Sequence, residues 1–237
     1  MNTLRTLVLI GLFLGLNRGI LVPARGQETK PPPEPSQSEA PKPVVITFDS
    51  MESGKAPADF VTAQTGEGAK GVWQVIEDPT APTKGKVLAQ TDTDDTDGRY
   101  PMCVYEKVSA KDVHVSVRFK TISGEVDQAA GIVARFKDGD NYYITRANAL
   151  EDNVRLYRVG GGKRKQFAGI NLKVTPNEWH TLALEIKGAH FNVSMDDKLL
   201  FEADDETFKE PGKTGLWTKA DSVTHFDDLK ILSLDAP

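Results

Sequence analysis

The sequence has a single cysteine, Cys103, in 237 residues. That excludes an intramolecular disulfide framework and any Cys-x-x-Cys metal or redox motif. It has no excess of basic charge either: 29 Lys and Arg stand against 34 Asp and Glu, a formal net charge of −5. Phosphate neutralisation dominates nucleic-acid affinity, so no nucleic-acid partner is expected. The apolar run Leu7 to Leu16 is interrupted by Asn17 and Arg18 before it can cross ~30 Å of hydrocarbon, so no membrane span is expected. Catalytic signatures are missing too. There is no Gly-x-Ser-x-Gly, and no His pair at helical metal-ligand spacing. A phosphate loop ending at Gly212-Lys-Thr214 would need glycine where Thr207 stands. In the acidic run Asp92 to Asp97, a calcium loop would need a bidentate Glu where Cys103 stands, which leaves a solvated loop.

What is present divides the chain into three. Residues 1–26 carry Arg5, an apolar stretch and small residues, Ala24 and Gly26, at the −3 and −1 positions of a cut, the pattern of a secretory signal peptide. The chain is therefore expected to be exported, to the periplasm or the outside of the cell. Loss of Arg5, Arg18 and Arg25 leaves 29 − 3 = 26 basic against 34 acidic residues, a net charge of −8. Residues 27–43 are a Pro-rich linker: Lys30 to Pro43 holds six prolines and no large apolar side chain, so it cannot offset its own ordering entropy. Residues 44–237 remain as one domain, large enough to bury a core without disulfides or metal.

That domain reads as strands. Val113-His-Val-Ser-Val-Arg-Phe119 alternates apolar and polar residues, as do His180 to Ile186 and Asn153 to Tyr157. Further β-rich runs are Val44 to Phe48, Val72 to Glu77, Lys86 to Thr91, Ile132 to Phe136 and Tyr142 to Arg146, with turn residues such as Asp138-Gly139 and Gly160-Gly161-Gly162 between them. The expected fold is all-β, an antiparallel two-sheet sandwich of about a dozen strands. In Thr224 to Leu232, Phe226 is out of step with Leu229 and Ile231, which predicts a bulge at Asp227-Asp228. Lys163-Arg-Lys165 reads as a charged hairpin tip.

Glu125-Val-Asp127 matches the start of the Glu-x-Asp-x-x-Glu run of laminarinase-type glycosidases, but the second Glu position is Ala130. A retaining mechanism would lack its proton donor.

Gly131 to Tyr143 with Arg146 and Asn148, then Asn177-Glu-Trp-His-Thr-Leu182, then Gly215 to Thr218 with Phe226 to Leu229, together resemble the concanavalin A-like lectin and glucanase jelly roll. Within it, they are most similar to secreted bacterial domains grouped with 3-keto-disaccharide hydrolases and family-16-like glycoside hydrolases. The resemblance implies a glycan partner on a concave sheet, with Arg135, Tyr142, Arg146, Asn148, Glu151, Asn153 and Trp217 as ligand contacts. Planar donors, amides and an aromatic platform suit sugar hydroxyls and apolar CH faces. The bland alternative is an ion-pair ladder of Arg135, Arg146 and Glu151. For an enzyme of the keto-sugar type, Glu151 or Asp221 is the candidate base and Lys219 or His225 the candidate electrophile. A non-catalytic interaction sandwich is a third reading. No cofactor is required. The jelly roll sets first and last strands side by side, so Asp49 with Asp227 or Asp228 is a candidate structural calcium site.

Overall fold

The computed structural model describes residues 41–235. The segment read as a signal peptide, and the linker up to residue 40, lie outside the described residues.

Fifteen antiparallel strands form two sheets. The eight-stranded sheet contains β1 (Val44–Ile46), β3 (Trp73–Glu77), β4 (Lys86–Gln90), β6 (Val113–Ser123), β11 (His180–Lys187), β12 (His190–Met195), β13 (Lys198–Asp204) and β15 (Val223–Ser233). Its order is β13-β12-β11-β6-β15-β4-β3, with β1 paired on β15. The seven-stranded sheet contains β2 (Phe60–Thr65), β5 (Tyr100–Ala110), β7 (Ala129–Asp138), β8 (Asn141–Asn148), β9 (Asn153–Gly160), β10 (Lys163–Asn171) and β14 (Gly212–Trp217). Its order is β10-β9-β8-β7-β14-β5-β2. No helix among the described residues is long and apolar enough to cross a membrane. The fold is a two-sheet jelly-roll sandwich, as the sequence predicts.

Alternation in the sequence becomes two faces in space. On β6, Val113, Val115, Val117 and Phe119 are buried in the main core, while His114, Ser116 and Arg118 lie on the other face. Register with β11 sets Val115 against Leu184 and Val117 against Leu182, so apolar pairs stack across the ladder. The expected bulge is present: the β15 register with β6 shifts between Asp227 and Lys230, and Asp228 has φ 50°. It lets Phe226, Leu229 and Ile231 all enter the core.

The strands missing from the sequence reading are β2, β5, β10, β12 and β13. Strand β5 is buried continuously from Pro101 to Tyr105 because both its faces are covered, so its alternation is hidden. Its residues divide between the main core (Cys103, Tyr105) and a second, smaller apolar cluster (Met102, Val104). The smaller cluster draws only on the seven-stranded sheet, including Val133 of β7, Tyr142 and Ile144 of β8, Tyr157 and Val159 of β9 and Trp217 of β14. By strand alternation this is the sheet's outer face.

The proposed calcium ligands do meet, but they are occupied otherwise. Asp227, fully buried, accepts hydrogen bonds from Thr83 N at 3.0 Å and Thr83 Oγ1 at 2.8 Å, and Asp228 N reaches it at 2.7 Å. Asp49 accepts from Lys84 N and Lys86 N, and Asp228 pairs with Lys230 at 2.8 Å. Calcium needs a shell of oxygen acceptors, whereas residues 83–86 present N–H donors to Asp49 and Asp227, and Asp228 faces the Lys230 ammonium. The set does not fit the ion, and among the described residues no group of three or more His, Cys, Asp or Glu is placed to hold a metal. These acids anchor the turn before β4 to the bulge.

Candidate functional site

Polar groups gather on the outer face of the seven-stranded sheet, beside its aromatic cluster. Arg146, at the end of β8, is almost wholly buried. Its guanidinium donates to Glu151 Oε2 at 2.7 Å, to Tyr157 Oη at 3.1 Å and to Asn153 Oδ1. Burial works against ionisation of Glu151, but Asn153 and Arg146 outweigh it and hold the carboxyl below its ordinary value.

The turn joining β8 to β9 is shaped by Asn148, whose Oδ1 accepts from Leu150 N at 2.9 Å and Glu151 N at 3.0 Å. Its Nδ2 donates to Asp127 Oδ1 at 2.6 Å, just before β7. Asp127 also faces Lys219 Nζ at 2.8 Å, and Lys219 reaches Asp97 at 2.6 Å. Burial pushes the Asp127 carboxyl up, against the pull of Lys219; for Lys219, the two carboxylates overcome burial and raise its affinity for the proton.

Segment 125–127 is fixed from below by Asp221. Its oxygens accept from Glu125 N at 2.6 Å, Val126 N at 3.1 Å and Asp127 N at 3.0 Å. Burial would raise this carboxyl, and the backbone donors instead hold it below its ordinary value. Gly124, φ 149°, permits the sharp entry: a Cβ there would lie 1.8 Å from Asp127 O.

Aromatic rings complete the face. Tyr100 of β5 stacks on Trp217 with ring centroids 5.5 Å apart and planes 15° from parallel. Arg164 of β10 lays its guanidinium 4.6 Å from the ring centroids of Tyr100 and Tyr157 and 5.8 Å from that of Trp217. Arg146 approaches the same Tyr157 ring at 5.8 Å. Three buried donors on this face, Arg146 Nε, Arg164 Nη1 and Trp217 Nε1, have no hydrogen-bond partner among the described residues.

The structure thus brings together Arg146, Asn148, Glu151, Asn153 and Trp217 from the sequence-derived ligand set, with Lys219 beside them. Tyr142 lies on this face but underneath, its hydroxyl 2.7 Å from Thr65 Oγ1 and pushed up to about 12 by burial. Arg135 is elsewhere. The register between β7 and β8 breaks after Ala134, and Arg135 takes φ 46°. Its side chain turns to the edge of the sandwich and donates to the carbonyls of Lys111 (2.7 Å), Phe208 (2.7 Å) and Gly188 (2.6 Å). It ties loops together and shares no partner with Arg146, so the alternative, a ladder of both arginines with Glu151, does not form.

Two of the candidate catalytic residues have partners of their own. Asp221 spends its oxygens on backbone donors and acts as an anchor. His225 lies on β15 of the other sheet, where Nδ1 meets Asp78 at 2.8 Å and burial pushes its pKa down. Lys120 pairs with the same Asp78 at 2.6 Å. His225 does not reach the groups around Arg146, and Asp221 touches them only through the backbone of segment 125–127.

Sequence reasoning missed Tyr100, Tyr157, Asp127 as a partner of Asn148, and above all Arg164. Lys163 and Lys165 are exposed as a charged tip requires, but Arg164 between them points to the opposite face and is half-buried. The alternation Lys-Arg-Lys on a strand was the available signal.

A two-sheet jelly roll with a polar and aromatic patch on one outer face is the architecture of lectin-like domains. The profile of the family "Galactocerebrosidase, C-terminal lectin domain" matches residues 87–234, more than half of the sequence, and the chain belongs to that family. Among curated proteins it is 30% identical over 80 residues to a levanase of Bacillus subtilis, covering 34% of this chain but only 12% of that protein. Among solved structures it is similar to the carbohydrate binding module CBM66 of Bacillus subtilis, with a TM-score of 0.59 and 21% identity, covering 74% of this chain and 96% of that one. Domain 4 of an extracellular arabinanase from Geobacillus stearothermophilus, solved with arabinotriose, is also similar, with a TM-score of 0.55 and 15% identity over 82% of this chain and 94% of that one. At such identities the likeness is one of fold. The chain is a carbohydrate-binding, lectin-like domain.

Proposed function

We propose that the domain holds a glycan on the outer, concave face of its seven-stranded sheet, with Arg146, Glu151 and Asn153 addressing sugar hydroxyls, Asn148 holding the turn that presents them, and the Trp217–Tyr100–Tyr157 cluster offering the apolar platform. The observation that carries this reading is the coincidence, on one face, of a fixed donor and acceptor network with stacked aromatic rings. A buried donor left unmade costs roughly 1–3 kcal/mol, so the unpartnered Arg146 Nε favours a ligand or a bridging water there. Mixed donors and acceptors suit a neutral sugar: Arg146, Arg164 and Lys219 are balanced by Glu151, Asp127 and Asp97. The relatives' names, a levanase and an arabinanase domain solved with arabinotriose, direct the first assays to fructans and arabinans. The N-terminal segment would export the domain, and residues 27–43 would remain as its Pro-rich N-terminal stem.

A glycan array including levan, arabinan fragments and β-galactosides tests this with wild type and Arg146→Ala. Binding by wild type that falls about thirtyfold, ~2 kcal/mol, in the variant supports the reading. A turnover assay on 3-keto-glucosides runs beside it, and turnover would replace the binding module with an enzyme. N-terminal sequencing of the secreted chain checks export, with a start near Gln27 expected.

A further inference from the structure

We propose that Arg164 is a displaceable cover, its guanidinium occupying the place on the aromatic platform that a sugar ring takes when ligand binds. The inference rests on the glycan-binding reading and adds a gate and a specificity residue to it.

The geometry points to an occupant held by ring faces. The guanidinium lies between Tyr100 and Tyr157, 4.6 Å from each centroid, with Trp217 at 5.8 Å. A planar cation with CH-like faces and polar edges fills the same flat space between aromatics as a sugar ring. No carboxylate pins it: no ion pair forms to Arg164 among the described residues, whereas Arg146 is held by Glu151 and Lys219 by Asp97 and Asp127. Its Nη1 is buried without a partner, so the covered state leaves one donor unsatisfied that the swung-out state returns to water.

The element carrying Arg164 is suited to release it. Strand β10 is the edge of the sheet, paired only with β9 within it, and its register shifts between Gln166 and Ala168. The hairpin before it turns through Gly161 and Gly162, both with positive φ, and Lys163 and Lys165 on either side are already in solvent. Rotation about the arginine side-chain bonds would move the guanidinium outward without breaking a ladder hydrogen bond. Arg146 offers no such freedom, since its donors are committed to Asn153, Glu151 and Tyr157. The two arginines therefore have opposite roles: one is built in, and the other is held by stacking and the attraction of Asp97, without a hydrogen-bonded ion pair.

The two occupants exclude each other, which the experiment reads directly. Arg164→Ala and Arg164→Lys are prepared in the full chain and titrated calorimetrically with the array's best glycan, with and without methylguanidinium as a free replacement for the missing side chain. Expected for Arg164→Ala is affinity roughly two- to thirtyfold tighter than wild type, the range of a cation–π contact no longer in competition. Arg164→Lys, which stacks less well, falls between them. Millimolar methylguanidinium weakens glycan binding to Arg164→Ala and leaves wild type unchanged. Weaker or unchanged binding by Arg164→Ala, while Arg146→Ala still weakens it about thirtyfold, makes Arg164 a direct contact or a bystander and overturns the cover alone. Absence of glycan binding in wild type and both Arg164 variants overturns the site and the cover together.

Discussion

A chain of single hydrogen-bonded residues runs through the site. Asp221 gathers three backbone donors and so sets Asp127; Asp127 holds Asn148; Asn148 caps the turn that presents Glu151; and Glu151 holds Arg146. Asp221 touches no ligand in this scheme and is a positioning residue. Asp221→Asn puts an amide where two oxygens faced N–H groups, and a loss of about 2 kcal/mol in stability is expected, checked by urea denaturation. Glycan affinity should fall in a folded sample, and a variant of wild-type affinity would show that Asp127 is positioned by other means. The pH dependence has a definite sign. The Asp221 carboxyl is held below its ordinary value in the folded state, so its stabilisation is complete above the unfolded pKa of about 3.9 and is lost as pH falls through the lower folded value. The same holds for Asp78, where burial is outweighed by Lys120, Thr80 and His225. Wild type should lose melting temperature below about pH 4, and Asp221→Asn should lose less over that range.

Strand β7 passes beneath Trp217 only because Gly131 lacks a side chain. A Cβ at Gly131 would stand 2.5 Å from Ile144 Cδ1, 2.9 Å from Thr145 O and 3.2 Å from Trp217 Cε3. Overpacking of this kind costs about 1–3 kcal/mol, and Gly131→Ala is expected to lose that much while tilting the indole off its stack with Tyr100. Near-UV circular dichroism and glycan titration below the melting temperature separate the two effects. A variant that is destabilised but binds normally would remove Trp217 from the platform. Beside the end of β14, one buried cation holds loops to the strands. Arg99, wholly buried, donates to the carbonyls of Ala69 and Ala220 at 2.6 Å each and to Asp92 at 2.5 Å, locking segment 92–98 beside the end of β14. Arg99→Met leaves those acceptors unpaired, and a loss of about 3 kcal/mol in thermal or urea unfolding is expected.

At the level of the whole molecule, the pairing is strongly non-local. Ile46 lies opposite Leu229, Leu88 opposite Phe226 and Tyr105 opposite Thr214, so the chain must close long loops before any sheet is complete. Such topologies fold in milliseconds to seconds. The lone thiol reports on this structure as a unit. Cys103 sits at the centre of β5, between β14 and β2, fully buried, with its pKa pushed up by burial. Modification by a thiol reagent is expected to require global opening, with a rate that rises with urea in step with loss of the near-UV signal. Rapid labelling in native buffer would show that the β2 edge opens by itself.

The sequence by itself determined the sandwich, because a period of two with turn residues between runs is a local property that any half-buried strand must show. Val113 to Phe119 and His180 to Ile186 carry it openly, and the parity fault at Phe226 located the bulge of β15. Where both faces of a strand are covered, as in β5, the period disappears and so did the strand. At the site, Arg146, Asn148, Glu151 and Asn153 were legible together because one short turn joins them in sequence. Arg135 was misplaced for a reason no alternation contains: a single positive φ after Ala134 turns its side chain to the sandwich edge. Only the tertiary structure could bring Arg164 onto Tyr100, Tyr157 and Trp217, since those rings come from β5, β9 and β14, which are distant in sequence and share one face only once the sheet has formed. It also decided that Asp49 and Asp227 face backbone N–H donors, for the direction of a backbone donor is set by the loop's path, which residue types alone do not encode.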